Sequence, residues 1–232
     1  MAASGIYNST VNVQEVVTEA CSRVGIGWTD QNHHILKEAR TSLNLMFVDW
    51  ANDEINQWAV AQLSGIALTA TTATYDLETA FIDVLDISLR RDSKEYPMHR
   101  MSYDYYQALT NKSSPGRPTH YHILLSRQPQ LITWPVTDVA GDTIQGFGIK
   151  QFQRVTAGNQ DADMPYRFQE AVAAGLAARL ALKKKALTGV AIEIDILRKL
   201  TADAMRSKDK AAGADRDRGV LRVQPYAYGR RG

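Results

Sequence analysis

Residues 115–135, PGRPTHYHILLSRQPQLITWP, constrain the fold more than any other stretch of the chain. They read as a turn followed by a tight two-stranded hairpin, with strands over about 119–125 and 130–135 joined by Ser126, Arg127, Gln128 and Pro129. A breaker-rich loop, Asn111 to Pro118, leads into it. The segments at both ends of the chain carry a helical period instead, so the fold must be mixed.

Residues 12–24 place Val13, Val16, Val17 and Ala20 at helical spacing, and Gly25 and Gly27 end the segment. Thr29 or Asp30 can cap a second, long helix over about 31–61. Its apolar residues, Ile35, Leu36, Ala39, Leu43, Met46, Phe47, Trp50, Ala51, Ile55 and Trp58, step by three and four along one stripe. Near the other end, Pro165 opens a helix over roughly 165–186 with Phe168, Val172, Leu176 and Leu180 inward. Its many alanines and Gly175 allow a neighbouring helix to approach closely. A last helix, about 189–207, carries Ile192, Ile196, Leu197, Leu200 and Met205.

Between these pairs the period changes to two. Residues 66–76 suit a strand and turn, and 79–91 alternates at first, through Ile82, Val84 and Leu85 and then Ile87 and Leu89, with Asp83, Asp86, Ser88 and Arg90 mostly on the other face. A short helix fits 102–109, and a strand fits 143–154 if it bends at Gly146 or Gly148. The resulting expectation is an α+β fold. N- and C-terminal helix pairs form a four-helix bundle, with a β-rich insertion in the middle and an extended C-terminal tail. The boundaries are 1–63 for the first helical pair, 64–158 for the insertion, 159–208 for the second pair and 209–232 for a flexible tail.

With 232 residues, 44% of them hydrophobic, the chain can build one sizeable core or two small ones. A net charge of +2 does not by itself point to nucleic acid, but its distribution is uneven. From Arg206 onward eight Arg or Lys stand against three Asp, leaving the end of the chain at +5 and the rest at −3. One cysteine, Cys21, permits no intrachain disulfide and fits a reducing compartment. No signal-peptide pattern and no run of about 18 apolar residues is present, so no membrane partner is expected.

Candidate sites are few. His120 and His122, two apart on a strand, point to one face and could begin a zinc site if His99 or Asp138 supplied a third ligand. Otherwise they are surface or interface side chains. His33 and His34 are adjacent in a helix and cannot chelate together. Asp161 and Asp163 precede a helix, where capping explains them better than a cation. Cys21 sits in an apolar helical pattern and reads as a small buried residue. Lys183, Lys184 and Lys185 close a helix, where positive charge is favourable; the alternative is contact with DNA phosphates. No GxxxxGK[ST] loop, GxSxG elbow or HExxH helix occurs, so neither a cofactor nor a catalytic mechanism is expected. The end of the chain, GVLRVQPYAYGRRG, follows a charged, small-residue spacer and supplies anchors of the types enriched at binding hot spots.

The phrases LNLMFVDWAN (43–52), YDLETAFIDVLDISLRR (75–91), PGRPTHYHI (115–123), LITWPVTD (131–138) and DADMPYRFQEAVAAGLAARLALKK (161–184) resemble, in order, the head-to-tail adaptor (connector or tail accessory) proteins of short-tailed and related phages. The resemblance covers roughly half the chain. It implies a structural virion protein at the neck, between capsid portal and tail, assembled in the bacterial cytoplasm. The implied partners are the portal protein, other copies in a ring of twelve, the next neck or tail component, and double-stranded DNA passing non-specifically. It further implies that the C-terminal segment docks on the portal, through Arg218, Val220, Leu221, Arg222, Val223, Pro225, Tyr226, Tyr228, Arg230 and Arg231. The hairpin loop Ser126–Pro129 is a candidate contact for the next component. The rival expectations are a DNA-binding module acting through Lys183–Lys185 and the basic tail, and a metal-dependent hydrolase using His120 and His122.

Overall fold

The computed structural model describes residues 10–27, 33–53 and 59–215. Thr29, Asp30, Ile55, Trp58 and the C-terminal segment from Arg216 lie outside the described residues.

Helix α1, Val13–Val24, starts where the Asn12 side chain accepts from the backbone N–H groups of Gln14 and Glu15. It stops at Gly25, whose φ of 73° is the left-handed conformation that glycine adopts without strain. Helix α2, His33–Asn52, buries Ile35, Ala39, Leu43, Met46, Phe47 and Trp50. It ends about nine residues before the periodicity suggests, because Val60–Gln62 form strand β2. The backbone groups of that strand pair with a sheet rather than with a preceding turn.

Helix α4, Gln169–Thr188, begins later than expected. Pro165 opens a separate 3-10 turn, Tyr166–Phe168, and the long helix follows it. Phe168, Val172, Leu176 and Leu180 are all buried, and so are Ala171, Ala173, Ala174, Ala177 and Ala181. Burial on nearly every side marks α4 as the central helix, and it packs against α1, α2 and helix α5, Ile194–Asp215. A Cβ on Gly175 would stand 2.6 Å from the Met46 sulfur, so this glycine sets the α2–α4 approach.

Gly189, at φ 77°, ends α4, which delays the start of α5 to residue 194. α5 then continues to Asp215, so residues 208–215 are helical where a flexible spacer was expected. Buried Ala211 and the Lys208–Asp53 ion pair at 2.8 Å hold this extension. Leu197 and Leu200 pack against the helical core, whereas Ile196 and Met205 are exposed. The helical core draws on α1, α2, α4 and α5 together.

The middle of the chain forms two sheets. The first is ordered β2-β10-β5-β6, from Thr143–Lys150 (β10), Phe81–Arg91 (β5) and Lys94–Pro97 (β6), with β3, Ile66–Ala67, also on β10. The second is β4-β9-β8-β7, from Thr74–Asp76 (β4), Gln130–Trp134 (β9), His120–Leu124 (β8) and His99–Arg100 (β7). Antiparallel β8 and β9 are the hairpin, with Tyr121 opposite Thr133 and Ile123 opposite Leu131. Val84, Ile87, Leu89 and Ile144 of one sheet share a second core with Tyr121, Ile123 and Leu131 of the other. A small ladder of β1, Val11–Asn12, with β11, Asp161–Ala162, ties the start of α1 to the segment entering α4.

Strand β5 departs from simple alternation. The β5–β10 register slips at two places, skipping Leu85 and Ile82. These bulges turn both side chains to the surface, so Ile82 is not on the inward face with Val84. Gly148 of β10 borders the bulge at Leu85, and Gly146 stands opposite Ile87. A Cβ at Gly146 would fall 2.1 Å from the Asp86 carbonyl oxygen.

Candidate interaction surfaces

The two histidines of β8 do share a face, and that face is covered by helix α3, Tyr103–Ala108, and by neighbouring aromatic rings. Ser102 caps α3, its hydroxyl accepting from Tyr105 N–H at 3.2 Å. None of the α3 side chains is buried, although three are tyrosines. Tyr106 stacks on His122 with an interplanar angle of 6°, and Tyr103 sits 5.7 Å from the same ring. Tyr105 stacks on His120, which also touches His99 and Trp134, each with centroids 5.9 Å away. His122 Nδ1 lies 3.0 Å from the Met101 carbonyl oxygen. A carbonyl can only accept, so Nδ1 is the protonated nitrogen.

His99 reaches this cluster because β7 pairs in parallel with β8, opposite His120. Asp138 does not reach it, being bound to Arg91 at 3.2 Å. Among the described residues no group of three or more His, Cys, Asp or Glu side chains is placed to hold a metal ion. Lys112 lies over the Tyr106 ring, 5.4 Å from its centroid, and brings a positive charge to the cluster. Sequence reasoning missed the tyrosines of α3 as partners of the histidines. Their spacing in SYDYYQAL was the available signal, but the contact depends on how α3 folds back on β8.

In the hairpin loop, Ser126, Arg127 and Gln128 are exposed and Pro129 is buried. The Ser126 hydroxyl donates to the Gln128 carbonyl, and the Gln128 amide donates to Leu77 O at 2.9 Å. Arg127 is therefore the loop residue presented most freely.

Two of the three lysines closing α4 are engaged within the chain. Lys183 pairs with Glu38 of α2 at 3.0 Å, a bond that holds the Glu38 carboxyl below its usual range. Lys184 donates to the Val24 carbonyl at 2.7 Å, satisfying the C-terminal end of α1. Lys185 is exposed.

Asp161 lies in β11 and accepts from the Asn12 amide at 3.3 Å. Pro165 precedes the 3-10 turn that leads into α4, and Asp161 stands four residues further back, in the ladder with β1. Cys21 is fully buried in the helical core, and burial pushes its thiol pKa up. His33 and His34 are both exposed at the start of α2.

An apolar recess of about 550 Å³ lies between α2 and the β part. Leu45, Phe47, Val48 and Ala51 form one wall, and Ile82 and Phe152 contribute to the other. Leu45 is 56% and Val48 60% exposed, which is unusual for neighbouring apolar residues one turn apart. Ile82 reaches the groove only because of its bulge. No helix among the described residues is long and apolar enough to cross a membrane.

The exposed tyrosines of α3 and the open apolar groove are surfaces of the kind that other macromolecules bind. The chain belongs to the SU10 adaptor protein family, whose model matches residues 11–224. It is thus a phage adaptor protein, and that class is structural rather than enzymatic. No curated protein matches the chain.

Proposed function

We propose that the protein is a head-to-tail adaptor whose copies form a ring under the portal, extend the DNA channel and carry the next neck component. Family membership over residues 11–224 is the observation that supports this most strongly. The helices, acting as a four-helix bundle around α4, give each subunit a stiff body. Residues 218–232 clamp that body to the portal. Two linked weak contacts, subunit to subunit and tail to portal, reinforce each other through effective concentration. A ring of twelve copies therefore forms on its template rather than in free solution. Arg127 at the hairpin tip is the first residue to test for contact with the next component.

A DNA-binding role through Lys183–Lys185 is the weaker alternative, since Lys183 and Lys184 already have intramolecular partners. Electron microscopy of the protein mixed with a portal ring tests the main proposal. Added ring density on the tail-facing end of the portal is the expected result. Stable rings of the free protein, together with unchanged portal binding after deletion of residues 218–232, would overturn it.

A further inference from the structure

The apolar groove beside α2 has its converse elsewhere on the same chain. Where α4 turns into α5, Val190 and Ile194 are 61% and 67% exposed. Ile192, between them, packs against the helical core, so the turn is fixed on its inner side and apolar on its outer side. A tip held in this way has little freedom to lose on binding. It cannot fill the groove of its own chain. Arg179 pairs with Asp49 and Lys183 with Glu38, so α4 runs antiparallel to α2. At 1.5 Å per residue the tip starts about 9 Å beyond Lys183, while Leu45 and Val48 lie about 10–15 Å from Glu38 in the opposite direction. The two surfaces stand roughly 20 Å apart along the helices.

Charge selects this tip over the other exposed apolar projection. Arg154, which is exposed, is the one formal charge among the residues lining the groove. The carboxylates next in sequence to lining residues, Asp49, Asp53 and Asp83, already bind Arg179, Lys208 and Arg100. The tip presents Glu193, exposed between Ile192 and Ile194, and Asp195, whose contact with Arg198 is a loose 3.7 Å. The nearest exposed cation on α4, Lys185, is a turn further back. The β8–β9 hairpin also projects apolar residues, Leu124 at 39% and Leu125 at 58% exposed, but it carries Arg127. Seating the hairpin in the groove would set like charges together.

We propose that the α4–α5 turn of one copy seats in the α2 groove of the next, with Val190 and Ile194 against Leu45 and Val48 and Glu193 facing Arg154. The proposal rests on the ring reading and names the contact that closes the ring. Because the two surfaces differ, the contact is head-to-tail, and such contacts repeat around a ring instead of stopping at a dimer. One tip in one groove is a small interface beside the roughly 1,600 Å² of a standard one. The copies therefore need the portal to gather them.

Paired cysteines in the full chain test this. Val48→Cys and Val190→Cys are both at exposed positions, and Cys21, 0% exposed, stays in place. Protein carrying both substitutions, mixed with portal rings and mildly oxidised, should link into a ladder of multimers. Neither single variant should link, because a head-to-tail contact never brings the same position of two copies together. Dimers from a single variant, or no ladder from the double variant either on the portal or in concentrated free protein, would overturn the contact. Glu193→Arg and Arg154→Glu should each slow linkage about fivefold, and the two together should restore it. Unchanged linkage in the single charge variants, or a loss that the double variant does not rescue, would overturn the Glu193–Arg154 pairing. Electron microscopy of the same samples separates this from the underlying reading. A ring on the portal without a ladder fails the contact and leaves the reading intact. A ladder from free protein with no ring on the portal fails the reading and leaves the contact standing.

Discussion

Arg91 holds Asp142 in a two-pronged ion pair, Nε to Oδ1 at 2.8 Å and Nη2 to Oδ2 at 2.6 Å, and the carboxylate is only 1% exposed. The Thr137 hydroxyl donates a third bond at 2.6 Å. The pair joins the end of β5 to the residue just before β10, where the connection from β9 enters the same sheet. Removing the cation would leave a buried carboxylate without its charge partner. Arg91→Met should therefore cost about 3–5 kcal/mol, read as the shift in urea midpoint.

The same pair sets an acid limit. The Arg91 hydrogen bond holds the Asp142 carboxyl below its ordinary pKa in the folded state. A depressed folded pKa means the unfolded chain takes up the proton first. The stabilisation is complete above the unfolded value, about 3.9, and is lost as pH falls from there through the folded pKa. Asp142→Asn should flatten this part of the stability–pH profile measured by thermal unfolding. An unchanged slope below about pH 4 would show that other carboxylates govern acid unfolding.

Two glycines give opposite expectations. A Cβ at Gly146 meets the Asp86 carbonyl at 2.1 Å and the Ile87 backbone at 2.8 Å, both in the paired strand. Gly146→Ala should destabilise by about 2 kcal/mol or more, because neither contact can yield without breaking the bulged register. At Gly213 in α5 an added Cβ would meet nothing within 4 Å. Gly213→Ala should stabilise by about 0.5–1 kcal/mol through helix propensity. Denaturant titration of the two variants decides both.

Much of the fold was legible in local pattern. Gly25 ended α1, the hairpin strands stood on either side of Ser126–Pro129, and Phe168, Val172, Leu176 and Leu180 all faced the core. These depend on period and on glycine or proline chemistry, which act over a few residues. The departures came from long-range pairing. Ile82 looked inward until the β5–β10 bulges turned it out, and residues 60 and 61 looked helical until β10 claimed their backbone. The surfaces were harder still. His99 joins His120 through a parallel pairing across twenty-one positions, and the apolar groove exists only where α2 meets the bulged edge of β5. The segment from Arg216 onward was singled out by its composition and by the family resemblance.

The aromatic clip on β8 makes a spectroscopic prediction. His122 donates from Nδ1 to the Met101 carbonyl, so its neutral form should be the Nδ1–H tautomer, the less common one for a free imidazole. Long-range nitrogen–proton correlation spectra distinguish the two ring nitrogens directly. Tyr106→Ala removes the ring stacked on His122 at 6°. Since α3 buries none of its side chains, that loss should raise amide exchange across Tyr103–Ala108 while leaving the β8–β9 hairpin protected.

The lysines closing α4 offer a test that separates a structural role from nucleic-acid contact. Lys184 satisfies the Val24 carbonyl at the end of α1, so Lys184→Ala should lower stability by about 1 kcal/mol. The Lys183–Glu38 pair is partly exposed on both sides, so Lys183→Ala should cost no more than about 1 kcal/mol. Lys185 is exposed, and Lys185→Ala should leave stability unchanged. If instead the three act together on phosphates, each replacement should weaken DNA binding and reduce its salt dependence by a similar step. Graded losses of stability with no common change in salt dependence would assign Lys183 and Lys184 to holding the helices together. That outcome would leave Lys185 and the basic C-terminal segment as the positive charge available to passing DNA.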